Sequence, residues 1–237
     1  MSTVETRKFE PATGTAVNLG ASGDAVTLPA GVTLKTNTIK DAGGNTIFTS
    51  DGAGTLSSVN SGLQGNMVFI SSQTASGSAS LEFTSGIDST YDEYVFYFVN
   101  INPASDVDNF GFQVNTSYNQ SITSTFFRAL HAEDDSSASL GYDDGRDLAN
   151  STSYCQLCGD PGGGSDESMS GAMHLFGPSS TTYVKQFYAV TSVYRSDDKM
   201  VESFIGGYIN TTSAVDKVGF KMNSGNFDGT IYLYGIK

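Results

Sequence analysis

Apolar residues between positions 66 and 237 come in short runs that alternate with polar residues, and turn residues punctuate them. Met67–Ile70, Ser80–Thr84 and Glu93–Ile101 are the first three runs. Phe110–Val114 alternates cleanly, with Phe110, Phe112 and Val114 on one face. Thr125–Leu130, Met169–Phe176, Tyr183–Tyr194, Met200–Tyr208, Val218–Met222 and Thr230–Ile236 follow. Gly86, Asn102-Pro103, Asp197-Asp198, Asn223–Gly225 and Asp228-Gly229 stand between runs as turn signals. The pattern predicts about ten strands and no helix of normal length. The expected fold is all-β: an antiparallel β-sandwich over residues 66–237, with a jelly roll as the favoured topology. An immunoglobulin-like sandwich fits less well, because the Cys…Trp…Cys core of that fold is missing.

Residues 1–65 read differently. Phe9 and Phe48 are the only aromatics there, and Gly, Ser, Thr and Ala dominate. A Val-polar-Leu triplet recurs at Val17–Leu19, Val26–Leu28 and Val32–Leu34. Shorter apolar pairs follow at Thr46–Phe48 and Thr55-Leu56, flanked by Gly43–Asn45 and Asp51–Gly54. One apolar pair per turn cannot bury itself in an isolated chain, so units of this kind need neighbours. Residues 1–65 are therefore expected to form an extended, repeat-like arm that is ordered by assembly. A flexible Gly/Ser linker is the alternative.

The chain has 237 residues, 12 basic and 25 acidic, and a formal net charge of −13. That balance argues against nucleic-acid binding and against docking on an anionic membrane. Charged residues make up 16% and aromatics 11%, which separates the chain from acidic disordered proteins. No apolar run approaches the ~20 residues of a membrane-spanning helix. Met1–Lys8 lacks an apolar stretch, so no secretory signal is expected.

Chemistry-bearing motifs are sparse. The sequence contains no Gly-x-Ser-x-Gly elbow, no P-loop and no His-Glu-x-x-His. Pro161–Gly164 is rich in glycine but has no following lysine, and it reads as a mobile tip. Cys155-Gln156-Leu157-Cys158 is the sharpest local feature. It could be half of a zinc site completed by His131 and His174, a redox pair, or two small apolar side chains near a strand. The last reading is preferred, because only half a ligand set is local. Glu133–Asp135, Asp143–Asp147 and Asp166-Glu167 lie between Leu130 and Met169, without the spacing of a calcium loop. Tyr142 and Tyr154 fall in the same stretch. Residues 131–168 are accordingly expected to form a variable, partner-facing loop. No catalytic, cofactor-binding or metal residues are assigned, and no cofactor is expected.

Four segments resemble a known family. Leu34–Phe48 and Gly20–Gly31 are similar to the N-terminal region of fibre and decoration proteins of marine tailed bacteriophages. Ile87–Pro103 resembles the strand that opens the C-terminal domain of those proteins, and Gly229–Lys237 resembles their closing strand. The resemblance implies a non-enzymatic virion protein, usually a homotrimer, attached to capsid or tail through its N-terminal part with its sandwich outward. It implies residence on the virion surface after synthesis in the host cytoplasm. It supplies no catalytic or metal residues. A tail-associated adhesin that recognises host surface glycans is the alternative function. A polysaccharide hydrolase fits least, since depolymerising spikes are usually much longer.

Overall fold

The computed structural model describes Ala30, residues 36–60 and residues 65–237 apart from Val107 and Thr116. The three Val-polar-Leu triplets lie outside the described residues. The chain divides into two compact units, Met1–Leu63 and Gln64–Lys237. Strand is the only extended regular structure among the described residues.

In the first unit, β1 (Thr38–Lys40), β2 (Thr46–Ser50) and β3 (Leu56–Val59) form an antiparallel meander. An aspartate shapes each of its turns. Asp41 Oδ1 accepts the backbone N–H of Asn45 at 2.8 Å. Asp51 Oδ1 accepts those of Ala53 and Thr55 at 2.7 and 3.1 Å. Gly44, Gly52 and Gly54 hold φ between +81° and +95°, where a Cβ would be strained.

Among its described residues the second unit contains thirteen strands. They are β4 (Met67–Ser78), β5 (Ser80–Phe83), β6 (Glu93–Pro103), β7 (Phe110–Val114), β8 (Ile122–Ala132), β9 (Ala138–Tyr142) and β10 (Leu148–Ser151). Then come β11 (Cys155–Gln156), β12 (Met169–Phe176), β13 (Lys185–Arg195), β14 (Lys199–Ile209), β15 (Val218–Met222) and β16 (Phe227–Ile236). The pairing is nested: β4 pairs with β16, β5 with β15, β6 with β12, and β7 with β11, all antiparallel. Pairing of β16 with β6 and of β15 with β7 joins these ribbons into two sheets, β4-β16-β6-β12 and β5-β15-β7-β11. A paired ribbon rolled up in this way is the expected jelly-roll sandwich.

One sheet is much wider than the other. Beyond β12 it continues through β13, β14 and β8, and β9 and β10 share the far edge of β8. It has nine strands against four in its partner. The core lies between the sheets, where Phe83, Phe96, Phe98, Phe110, Phe220 and Phe227 pack with Ile231 and Leu233. Phe110, Phe112 and Val114 point into it together, as their alternation predicts.

Two expectations are corrected. Residues 131–168 are not one exposed loop: they contain β9, β10 and β11, and Cys155, Leu157 and Cys158 are buried in the core. The four-stranded sheet is too narrow to cover the inner face of the extension, so this stretch folds back over it. Pro161–Gly164 is also not a free tip, since Pro161 and Gly162 are buried. The Gly162 N–H donates to Tyr194 O at 3.1 Å, and the Gly163 N–H to Asp106 Oδ1 at 2.8 Å.

Candidate functional site

The outer face of the nine-stranded sheet is the most unusual surface of the second unit. Strands that face water on one side normally alternate apolar and polar residues. Here the central strands do not. In Tyr94-Val95-Phe96-Tyr97-Phe98-Val99 of β6, Tyr94, Phe96 and Phe98 enter the core, while Tyr97 and Val99 point outward and Val95 takes the same side but is fully buried. In β16, Ile231 and Leu233 go inward, and Tyr232, Tyr234 and Ile236 go outward.

The register aligns these outward residues into rows. One runs from Tyr142 in β9 through Phe127, Phe204, Val190 and Ala172 to Tyr97, and ends on Tyr232. Beside it runs a second row of Tyr188, His174, Val95, Tyr234 and Phe69. Met67, Phe69, Val99, Phe127, Leu140, Tyr142, Tyr188, Met200 and Tyr208 are exposed large apolar residues, and all lie on this face. Phe69 retains 55% of its accessible surface and Leu140 74%. Apart from Asp228 at the rim, the outward strand positions carry two carboxylates, Glu93 and Glu202, out of 25 in the chain.

The rings on this face stand upright. Phe127 and Phe204 are direct cross-strand neighbours with centroids 4.9 Å apart and planes within 8°. His174 and Tyr188 are likewise paired, at 4.4 Å and 9°. At such separations parallel rings must be stacked on one another rather than laid flat on the sheet. Each ring turns an edge to solvent and gives a face to its neighbour. His174 Nδ1 also meets Glu93 Oε1 at 2.5 Å, so this carboxylate is already engaged.

A second polar feature sits on the inner side of the extension. Arg146 contacts Asp143 through Nε at 3.0 Å and Asp160 through Nη2 at 2.5 Å. Arg128 reaches the same two aspartates at 3.3 and 3.4 Å, and Arg195 reaches Asp160 at 3.6 Å. Arg146 Nη1 donates to Asn109 Oδ1 and Gln156 Oε1. These groups tie the 143–160 segment to β8, β13 and the lead-in of β7. Their guanidinium donors are directed to side chains of the protein, which makes the cluster a clasp. A shallow groove of about 310 Å³ opens beside it, lined by Arg128, Leu140, Tyr142, Asp143 and Asp144.

The structure separates the residues of the possible zinc set. Cys155 lies opposite Phe112 on β11, and Cys158 Sγ accepts the Phe110 N–H at 3.4 Å. Both are free thiols inside the core, and burial pushes each up to about 12. His174 is on the outer face with Glu93, and His131 pairs with Asp135 at 3.3 Å on the surface. Among the described residues, no three His, Cys, Asp or Glu side chains converge as a metal site would need. Of the two tyrosines singled out in 131–168, Tyr142 is exposed and donates to Asp147 Oδ2 at 2.5 Å. Tyr154 instead packs under the Lys221 ammonium, 4.6 Å from its ring centre. The outer face was missed as a unit because cross-strand register is not written in any single run. The runs Met67–Ile70, Tyr94–Val99 and Ile231–Tyr234, apolar at every position, are its sequence signals.

Comparison of the chain with protein-family models, with curated proteins and with solved structures finds no match in any of the three.

Proposed function

We propose that this chain is a non-enzymatic structural protein of a bacteriophage virion, a short fibre or decoration protein. In this reading it is displayed on the particle surface as a homotrimer, and residues 1–65 attach it to capsid or tail proteins. The observation that carries the reading is the meeting of two segments distant in sequence. Ile87–Pro103 and Gly229–Lys237, the two C-terminal segments that resemble phage fibre and decoration proteins, are largely β6 and β16. These strands pair along their length at the centre of the roll, with Tyr97 opposite Tyr232 and Glu93 opposite Ile236. The resemblance therefore falls on one continuous piece of sheet. The breadth of the outer face supports action by surface contact, and the acidic charge would keep many displayed copies apart in solution. Nucleic acid and membrane are not among the proposed partners.

Quantitative mass spectrometry of purified particles tests this. The chain is expected as a virion component, in many copies for a capsid lattice or few for a tail. Deleting residues 1–60 is expected to abolish incorporation. Particles that lack the protein, or normal incorporation of the truncated form, would overturn the reading.

The groove beside Tyr142 favours a second reading, a tail-associated adhesin for host surface glycans. It combines an exposed tyrosine ring with the Asp144 carboxylate, which offers an acceptor to sugar hydroxyls. In that case Tyr142→Ala would reduce binding to host polysaccharide about tenfold or more, and unchanged binding would exclude the groove.

A further inference from the structure

We infer that the outer face of the nine-stranded sheet is the surface on which the sandwich meets a second copy of this chain. The inference rests on that reading only for the statement that copies associate: one face packed on its equivalent makes a twofold pair, so it locates a contact between copies and not the threefold axis.

Three observations carry it. The first is area. Eight strands about 4.8 Å apart, with four outward rows about 7 Å apart, make a face of about 35 by 25 Å, or about 900 Å². A stable interface buries about 800 Å² per partner. The second is charge. Two copies at −13 each repel one another, so they can approach only where the charge is sparse. Among the outward strand positions the carboxylates are Glu93, held by His174, Glu202 and, at the rim, Asp228; Glu133, Asp135 and Asp147 border the face beside Met200, His131 and Tyr142. The third is side-chain geometry. Phe127 with Phe204, and Tyr188 with His174, present ring edges in ridges spaced by the strands. Ridges of this kind interdigitate with a second twisted sheet, as the facing sheets of a sandwich do.

Desolvated aromatics near the middle of such an interface would dominate its energy. Phe127 and Tyr188 are outward and partly exposed, so the double variant Phe127→Ser/Tyr188→Ser removes interface area without touching the core. Analytical ultracentrifugation of the full chain is expected to give an oligomer at micromolar concentration. The double variant should raise the dissociation constant about 100-fold or more at unchanged circular dichroism. Added salt should strengthen wild-type association by screening the like charges. Oxidative footprinting should find Tyr97, Tyr188 and Tyr208 protected in the wild type and labelled in the Phe127→Glu variant, which retains all three. Phe127→Glu alone is a second disrupting variant, should the double change affect folding. A monomeric wild type would overturn the inference, as would an oligomer unaffected by either variant or one whose outer-face tyrosines stay fully labelled. A monomeric wild type whose polysaccharide binding is lost in the same variants would assign the face to a carbohydrate instead. All of these measurements use purified protein, so their failure is distinct from failure to find the chain in virions.

Discussion

Phe220 is the ring around which the core is arranged. It meets Phe83, Phe96, Phe98 and Phe110 at centroid distances of 5.2 to 6.2 Å, and so links both sheets. Phe220→Ala would leave a cavity that four rigid neighbours cannot fill. The expected cost is about 3–5 kcal/mol, read as a lowered urea midpoint of the second unit. The cysteines illustrate burial acting on chemistry. A thiol whose pKa stands near 12 is about one part in 10,000 thiolate at pH 8, and both sulfurs are out of contact with solvent. Iodoacetamide is expected to label neither Cys155 nor Cys158 in the native protein and both after unfolding. Rapid native-state labelling at either position would contradict their place in the core.

Elements are held by polar groups where apolar packing runs short. The 143–160 segment covers the part of the large sheet that the small sheet does not reach, and Asp160 is its main anchor. Its carboxylate faces Arg128, Arg146 and Arg195, and it is itself largely shielded. Asp160→Ala would remove the partner that three guanidinium groups share, leaving Asp143 to Arg128 and Arg146 and Asp197 to Arg195, at a cost of about 1–3 kcal/mol. Limited proteolysis should then cut within 143–160 earlier than in the wild type. The small sheet of residues 36–60 depends instead on its two aspartate turns. The side-chain amide and then the backbone N–H of Asn45 lower the Asp41 carboxyl, and the N–H groups of Ala53 and Thr55 lower that of Asp51. A carboxyl lowered on folding stabilises the folded form above its ordinary range, and the contribution disappears as pH falls through the depressed value. The turn amides of Asn45 and Thr55 should therefore keep their exchange protection down to about pH 4 and lose it as acid protonates these aspartates. Loss of protection well above that range would disprove the role of the carboxylates.

At the scale of the molecule, the second unit contains a complete jelly roll with its own core, and its first and last strands pair with each other. The Lys237 N–H donates to Asn66 O at 2.9 Å, closing that ladder at its end. A chain starting at residue 64 is expected to fold alone, with one cooperative thermal transition and a helix-free far-UV spectrum. A molten or aggregated product would mean that the sandwich needs residues 1–63 for stability. The proposed interface adds a consequence: if that truncated chain still associates, the outer face carries association without the N-terminal region.

Strand identity was legible in the sequence because it is local. Phe110–Val114 and Ser80–Thr84 announce themselves by alternation, and the glycine–aspartate turns at Asp41 and Asp51 by their own chemistry. Class and sandwich follow from many such runs without helical periodicity. The short strands β9, β10 and β11 were illegible, since their residues form strands only when β8 and β7 offer an edge to pair with. The burial of Cys155 and Cys158 was equally hidden, for it depends on how far a four-stranded sheet reaches across a nine-stranded one. Tertiary structure alone decided the nested pairing and brought Tyr142, Phe127, Phe204 and Tyr97 into one row across strands separated by up to about a hundred residues of chain. Which side chains each strand turns to either side is written locally, because that period follows from backbone geometry. Which of those sides found a covering sheet and which stayed open was settled by long-range pairing, a contest between whole strands that no local pattern encodes.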